Sequence, residues 1–266
     1  MIEGTVEVYR GGLVLPSMVD ERVADLAAAI REAAQVVALT GAGLSTASGV
    51  PDFRSEGGVW ERHDPRDFEY GRFRSDPAGF WEDRLGLHET LFGEDVEPNA
   101  AHEAMASLER RGFLEAVVTQ NVDGLHRAAG SETVVRLHGT SDRVECEDCG
   151  DRQAADPVRE RAAAGELPPT CDSCGGVLKP AIVLFGESLP TVALSRAREL
   201  HRGADLVLVA GTSLAVEPAA SLPAVAEQTG ATVAVVNLED TGLAEQAAYD
   251  FRADVTEVLP AVADAV

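Results

Sequence analysis

The four cysteines of the chain, Cys146, Cys149, Cys171 and Cys174, form two CxxC pairs with 21 residues between them. Each CxxC turn can aim two thiolates at one ion, and four thiolates complete a tetrahedron with no position left for water. The spacing therefore predicts a structural zinc site. A redox CxxC stands alone on a thioredoxin-like element, which is absent here. A second set of polar residues directly follows apolar runs. His138-Gly139 comes after Val134–Leu137, and an imidazole is the natural base near neutral pH. A lone histidine at a strand end is also a common structural residue. The string Thr119-Gln120-Asn121-Val122-Asp123-Gly124-Leu125-His126 follows Ala116–Val118. Its amide, acid and imidazole suit contacts to a sugar or carboxamide; a capped turn has the same composition. The string from Gly41 to Arg54, GAGLSTASGVPDFR, follows Val36–Leu39. Its glycines let a backbone turn tightly and approach a phosphate, with a following helix offering its N-terminal N–H groups. Over GAG alone, a glycine turn that only packs reads the same. Gly211-Thr212-Ser213 and Asn237-Leu238-Glu239 end two further apolar runs, where nucleotide contacts are expected and ordinary loops also occur.

These strings need a frame. The runs Val36–Leu39, Ala116–Val118, Val134–Leu137, Ile182–Phe185, Leu206–Ala210 and Val233–Val236 are continuously apolar, the pattern of parallel strands buried on both faces. Helical patterns alternate with them at Val19–Ala34, His102–Arg111, Val192–His201 and Ala219–Gln228. The fold class expected is α/β: a Rossmann-like parallel sheet domain with a smaller zinc-binding plus helical module. Two segments break the rhythm. Residues 55–99 are polar, aromatic and loop-rich, and residues 141–179 hold all four cysteines. The expected large part is therefore 1–54, 100–140 and 180–266, and the small module 55–99 plus 141–179, with a ligand cleft between them.

Composition narrows the function classes. With 266 residues and 45% hydrophobic content, the chain is long and apolar enough to bury a core, which excludes a disordered reading. No apolar stretch reaches the length of a membrane span, and Met1–Pro16 lacks the basic start and apolar run of a signal peptide. A cytoplasmic protein is expected, and cysteines there rarely pair as disulfides. The formal net charge is −23, and Lys179 is the single lysine. Such a surface repels phosphate backbones, so direct nucleic-acid binding is not expected. A lysine-poor, carboxylate-rich surface resembles that of proteins from salt-accumulating cells, so the charge reports the solvent rather than the activity.

Taken together, the strings GAGLSTASGVPDFR, TQNVDGLHRAAG, RLHG, the paired CxxC, PAIVLFGE, GTSLAVEPAA and VNLE resemble, in the same order, those of the sirtuin family of NAD⁺-dependent protein deacylases. The resemblance covers roughly residues 36–255. It implies NAD as co-substrate, structural zinc, and an acyl-lysine protein as partner. It places Gly41, Ala42, Gly43, Ser45, Pro51, Asp52, Phe53, Arg54 and Trp60 at the cofactor loop. Gln120, Asn121, Val122 and Asp123 would meet nicotinamide and its ribose, with Asn121 and Asp123 in the catalytic set and His138 as base. Gly211, Thr212, Ser213, Asn237, Leu238, Glu239 and Ala253 would hold the adenosine half, and Val183, Phe185 and Gly186 would line a groove where the substrate peptide adds as a strand. The expected products are nicotinamide, free lysine and O-acetyl-ADP-ribose. The alternative is mono-ADP-ribosyl transfer on the same site. A dehydrogenase would require GxGxxG with an acid about twenty residues on; here the loop reads GAGLSTASG and Asp52 lies in the PDFR string.

Relatives that remove acidic acyl groups resemble one another in a Tyr-x-x-Arg pair on the helical segment after the PDFR string. Here Arg84 and Leu87 align with that pair, and no Tyr-x-x-Arg occurs in 55–99; Tyr70 with Arg74 is one residue too long. An uncharged acyl group is therefore expected.

The charge also makes a prediction. Self-repulsion loosens a compact state at low ionic strength, and salt screens it. The thermal midpoint should rise markedly from about 0.1 M toward molar salt, where the Debye length falls to roughly 3 Å. A midpoint that stays flat across a salt titration contradicts the salt-adapted reading.

Overall fold

Residues 8–9, 12–13, 16–93, 96–243 and 245–266 are described by the computed structural model, with the backbone alone for residues up to 20. A short antiparallel ribbon, β1 (Val8–Tyr9) and β2 (Gly12–Leu13), precedes α1 (Pro16–Glu32) and β3 (Val36–Thr40). Helices α2 (Tyr70–Ser75), α3 (Pro77–Leu91) and α4 (Ala100–Arg110) lead to β4 (Ala116–Thr119), α5 (Leu125–Ala128) and β5 (Val134–Arg136). Next come β6 (Gly139–Cys146), β7 (Arg152–Ala154), α6 (Ala155–Ala163) and β8 (Leu178–Ile182). The chain ends with α7 (Thr191–Gly203), β9 (Leu206–Ala210), α8 (Leu222–Glu227), β10 (Thr232–Val236), β11 (Tyr249–Phe251) and α9 (Val255–Ala265).

Six strands form one parallel sheet in the order β11-β10-β9-β3-β4-β5. Both faces are covered, which is why the central strands read as unbroken apolar runs. Val36, Ala38, Val117 and Leu208 join a core with α1, α4 and α9. Val37, Leu39, Val118 and Val209 join the core on the other face with α7 and α8. Helix α1 seats Val23, Leu26, Ala27 and Ile30 on the sheet, the i, i+3, i+4, i+7 spacing of one helical face. Each fully buried Leu or Ile there contributes roughly 1.5–3 kcal/mol. Asn99 caps α4, accepting from the N–H groups of Ala101 and His102, which satisfies donors the helix start leaves open.

A third core joins residues from both interrupting segments: Phe73, Phe80, Trp81 and Leu87 with Val144, Ala155, Val158 and Leu178. The Trp81 indole N–H donates to the Leu178 carbonyl at 2.8 Å. Two expectations need correction here. The run Ile182–Phe185 is not a buried parallel strand: β8 ends at Ile182 and pairs antiparallel with β6 in a separate sheet ordered β7-β6-β8. Its residues after 182 form a loop that packs between the large sheet and the small module, so they are apolar without joining the large sheet. The segment 55–99, expected to be helical and loop-rich, holds helices α2 and α3, and α3 buries Phe80, Trp81, Leu87 and Leu91. The helix expected over Ala219–Gln228 is confined to α8, with Pro223 in its first turn. Finally, β11 and α9 extend the large sheet and its cover. Helix α9 carries Pro260 in its interior, a residue that argues against a helix when only sequence is read.

The four cysteine sulfurs converge. All lie within 4.8 Å of one another, with Cys146 Sγ 3.4 Å from Cys174 Sγ and Cys149 Sγ 3.8 Å from Cys171 Sγ. A tetrahedral zinc with Zn–S bonds of about 2.3 Å needs sulfurs about 3.8 Å apart, so the donor set fits structural zinc. Cys146 and Cys171 are also part of the module's core, which ties the knuckles to α3 and α6. Cys171→Ser, or removal of zinc by chelation, should therefore lower the melting temperature by on the order of 10 °C and reduce activity through stability. Calorimetry of zinc-free protein that keeps its midpoint would remove zinc from the folding account.

Candidate active site

Backbone hydrogen bonds set the polar strings side by side. Gln120 N–H donates to Thr40 C=O at 3.0 Å, and Leu137 N–H to Thr119 C=O at 2.9 Å. On the other side of β3, Gly211 N–H donates to Val236 C=O and Asn237 N–H to Phe251 C=O, each at 3.0 Å. The residues following β3, β4, β5, β9 and β10 thus leave the sheet along one edge. The chain reverses its direction of winding between β3 and β9, and in open α/β sheets ligands bind at that crevice, outside the carboxyl ends of the strands.

The loops after β3 and β9 touch backbone to backbone. A Cβ on Gly43 would stand 3.0 Å from the Gly211 carbonyl oxygen, and one on Gly211, at φ 58°, would fall 2.2 Å from Leu44 N. These glycines are required by loop–loop packing at the switch point, in addition to whatever ligand approaches. Two short 3₁₀ turns, Ala42–Leu44 and Thr46–Ser48, follow β3. The α-helix expected to offer its N-terminus there is absent, because Gly49, at φ 86°, ends the second turn.

Behind this edge lies a directional network. Asn121 Nδ2 donates to Gly41 C=O (3.0 Å) and to Ser45 Oγ (3.1 Å). Ser45 Oγ donates to Asp123 Oδ2 at 2.8 Å, and Asp123 Oδ1 accepts the Leu125 N–H at 2.9 Å. The hydroxyl of Ser45 is completely buried, so the structure places Ser45 as the holder of Asp123 and Asn121. Gln120 Nε2 donates to Thr212 Oγ1 at 2.9 Å, linking the ends of β4 and β9. Sequence reading missed the layer beneath. His102 lies 3.5 Å from Ser45 Oγ, and His126 Nε2 is 2.9 Å from Thr40 Oγ1, which itself donates to Thr119 Oγ1. Burial lowers the His102 pKa to about 4; burial and the neighbouring His102 lower that of His126 to about 3. Both rings are neutral hydrogen-bonding spacers. The His126 imidazole, expected from the string after β4 to meet a sugar or carboxamide, is instead buried against Thr40, and His102 had no sequence signal beyond an imidazole in a helical stretch.

His138 follows β5. Its Nδ1 lies 3.0 Å from the Gln120 carbonyl. A carbonyl only accepts, so Nδ1 carries the proton and Nε2 keeps its lone pair. Burial lowers the His138 pKa, partly opposed by the hydrogen bond to Gln120, which leaves a neutral imidazole with a free basic nitrogen at neutral pH. Its carbonyl accepts from Val183 N–H at 2.9 Å, and the following Gly139, at φ 80°, leaves space that a Cβ would fill 2.1 Å from the Ala181 carbonyl oxygen. His138 is thereby fastened to the loop after β8.

The remaining residues fall into two groups. Asp52 holds its own turn, accepting from Arg54 N–H and from Ser55 N–H and Oγ; burial raises its pKa, but these hydrogen bonds outweigh it and the net shift is downward. Phe53 and Trp60 stack at 5.1 Å, and Trp60 meets Phe185 at 5.8 Å, so the PDFR string, the helical insertion and the loop after β8 share one aromatic wall, with Pro51 half-buried and Arg54 exposed beside it. On the far side, Thr212 and Asn237 are buried and Ser213, Leu238 and Glu239 exposed at the ends of β9 and β10, with Ala253 half-buried after β11. The backbone of Phe185 is not free to pair with a peptide: its N–H donates to Phe68 C=O (3.2 Å) and its C=O accepts from Tyr70 N–H (2.9 Å). Phe185 offers its exposed ring instead. Lys179 pins the same loop, with Nζ 2.9 Å from the Ile182 carbonyl and 3.1 Å from Glu187.

A strand-end edge of this kind, with amide, carboxylate and free imidazole on one side and buried hydroxyl and amide on the other, suits a dinucleotide laid across the switch point. The family model described as Sir2 matches residues 41–218. An NAD-dependent protein deacetylase of Haloarcula marismortui is 56% identical over 241 residues, 90% of this chain and 92% of its own length. NAD-dependent protein deacylase 1 of Archaeoglobus fulgidus is 42% identical, covering 86% of this chain and 92% of its own. Among solved structures, a Sir2 complex with a p53 peptide and NAD⁺ superposes with a TM-score of 0.82 at 36% identity, over 90% of this chain and 96% of that one. A Sir2 enzyme bound to acetylated peptide gives 0.81 at 34% identity, over the same shares. On this evidence the chain belongs to the Sir2 family, the sirtuins.

Proposed function

We propose that this chain is an NAD⁺-dependent protein-lysine deacetylase in which His138 is the catalytic base. The reading is carried by the hydrogen bond from His138 Nδ1 to the Gln120 carbonyl, which frees Nε2 beside the Asn121–Ser45–Asp123 network. When bound, NAD⁺ supplies the ADP-ribosyl group that takes the acyl, leaving nicotinamide, deacylated lysine and O-acetyl-ADP-ribose.

The chain's own residues position and protect. Gly41, Ala42, Gly43 and Ser45 form the loop against which the phosphates rest, and Gln120, Asn121, Val122 and Asp123 orient the nicotinamide half. Gly211, Thr212, Ser213, Asn237, Leu238, Glu239 and Ala253 hold the adenosine half. The wall of Phe53, Trp60 and Phe185, with Pro51, Asp52 and Arg54 at its start, keeps water from the reacting centre, which a weak carbonyl nucleophile requires. His138 Nε2 accepts a proton from a ribose hydroxyl, and the Gln120 carbonyl steadies the resulting imidazolium through Nδ1–H. Val183, Phe185 and Gly186 flank the acyl-lysine segment, Phe185 through its ring. The large part, 1–54, 100–140 and 180–266, holds the nucleotide, and the module of 55–99 and 141–179 closes over it; β8 crosses that boundary.

His138→Ala should lower kcat/KM by at least about 10²-fold with little change in melting temperature, since one half-buried imidazole carries little of the core. NAD⁺ labelled in its adenylate half should deliver the label to a small acylated product; label retained on protein would favour ADP-ribosyl transfer instead. Because the neutral ring is the active form and its pKa is lowered, kcat/KM should hold steady as pH falls and decline only below the ordinary histidine value of 6.5. An acid limb at or above that value in the wild type, absent from the variant, would mean that burial does not govern this base.

Acyl choice follows from the small module. Tyr70 Oη donates to Glu147 at 2.8 Å and Arg74 lies 3.7 Å from the same carboxylate, so both serve the Cys146–Cys149 knuckle. Leu87 is buried in the module core. A succinyl carboxylate entering the channel unpaired costs several kcal/mol, so kcat/KM for succinyl-lysine should fall roughly 10²-fold or more below that for acetyl-lysine on one peptide. Succinyl turnover equal to or above acetyl turnover would overturn this acyl choice.

A further inference from the structure

Arg84 of α3 is 4% exposed, yet no carboxylate among the described residues faces it. Its Nη1 has no hydrogen-bond partner among the described residues. Among the described residues its one charged neighbour is Arg159 of α6, of the same sign; burial first, then Arg159, brings the Arg84 pKa down to about 10, so the guanidinium keeps its charge. Arg159 is itself held: Nη1 donates to the Ser141 carbonyl at 3.0 Å, and Nη2 pairs with the exposed Asp156. One turn along α3, His88 is half-buried with its Nδ1 buried and unpartnered among the described residues, and burial together with Arg159 and Arg84 lowers its pKa to about 4. His88 is neutral and offsets nothing.

These groups surround a space. Arg84, Arg159, Arg143 and Ser141 line a small cavity of about 10 Å³, with Trp81 and Pro180 on its walls. That is room for about one water-sized species. Three guanidiniums line or flank it against the single carboxylate of Asp156, in a chain whose net charge is −23. A buried unpaired charge is strongly destabilising unless a counter-charge meets it.

We propose that this cavity is an anion site that takes one chloride ion, with Arg84 as its buried donor and Arg159 and Arg143 as its flanks. A small spherical ion suits a space lined by guanidinium groups from two helices and a strand. Arg143 is exposed at the mouth and gives the ion a way in. The acidic, lysine-poor composition points to a solvent rich in salt, which supplies the ion at high concentration. Bound there, chloride ties α3 and α6 to β6, the strand that ends in Cys146. This site stands apart from the deacylase reading, which can fail without affecting it.

The test varies the anion at fixed ionic strength. Zinc-loaded full-length protein should melt higher in sodium chloride or bromide than in sodium methanesulfonate, because a ligand bound only by the folded state stabilises it. The difference should vanish in Arg84→Met, which keeps the volume and removes the charge. Crystals of the wild type grown in bromide should show an anomalous peak in the cavity within hydrogen-bond reach of Arg84. An equal halide preference in wild type and variant, or no peak, overturns the proposal. A peak without a halide-specific rise in melting temperature marks an adventitious ion only and overturns it as well. If Arg84→Met does not fold, the bromide map and the wild-type halide comparison decide.

Discussion

The backbone contact between the loops after β3 and β9 is the constraint on which the rest depends. Gly43 and Gly211 approach too closely for any side chain to lie between them. That contact lets Asn121 reach both Gly41 and Ser45, and lets Gln120 reach Thr212. Each bond crosses from one strand's end to another's, so the edge is assembled by parts up to 92 residues apart in sequence. A side chain at either glycine would separate the two halves of the nucleotide edge before any ligand was involved. Hydrogen bonds of this kind are modest individually, but a buried polar group deprived of its partner costs about 1–3 kcal/mol. Displacing one loop would strand several at once.

The small module converts that rigid edge into a site with walls. Its core is shared by the helices before β4 and the sheet after β5, so neither insertion is a finished unit alone. Zinc draws Cys146 and Cys149 toward Cys171 and Cys174, and Glu147 between them receives the Tyr70 hydroxyl. Tyr70 N–H in turn meets the Phe185 carbonyl. The metal site is thereby linked by named contacts to the loop expected to meet the substrate. Lys179 completes the arrangement from the other side through Ile182 and Glu187. In a chain that otherwise uses arginine for its long cationic side chains, an ammonium is kept where a compact donor must reach several oxygens around one turn.

Electrostatics divide the molecule into two regimes. Outside, most ion pairs are exposed, such as Arg66–Asp64 and Arg152–Glu145, and pairs of that kind contribute about 0–1 kcal/mol each. Inside, histidines are held neutral by burial, as at His102, His126 and His201. His138 belongs to that interior group, and the same burial that would make a histidine inert elsewhere keeps its Nε2 unprotonated at the sheet edge. The surface charge answers to the solvent, while the site answers to burial and to hydrogen-bond direction.

The sequence by itself determined the central parallel strands, the strings that follow them and the four-thiolate set. Each of these is written in neighbouring residues: unbroken apolar runs mean burial on both faces, and CxxC fixes two sulfurs within one turn. It could not separate β8 from the large sheet, because an apolar run records burial and not the identity or direction of the strand beside it. It expected helix within 55–99 without setting the bounds of α2 and α3, and it missed α9, where Pro260 argues against a helix that packing on α1 and α4 nevertheless holds. Only the tertiary structure decided that Ser45 supports Asp123, that His138 presents Nε2, that Phe185 has spent its backbone bonds, and that Arg84 is buried without a carboxylate. These are relations between atoms far apart along the chain, and the direction of a hydrogen bond or the absence of a counter-charge exists only once distant segments have been packed together.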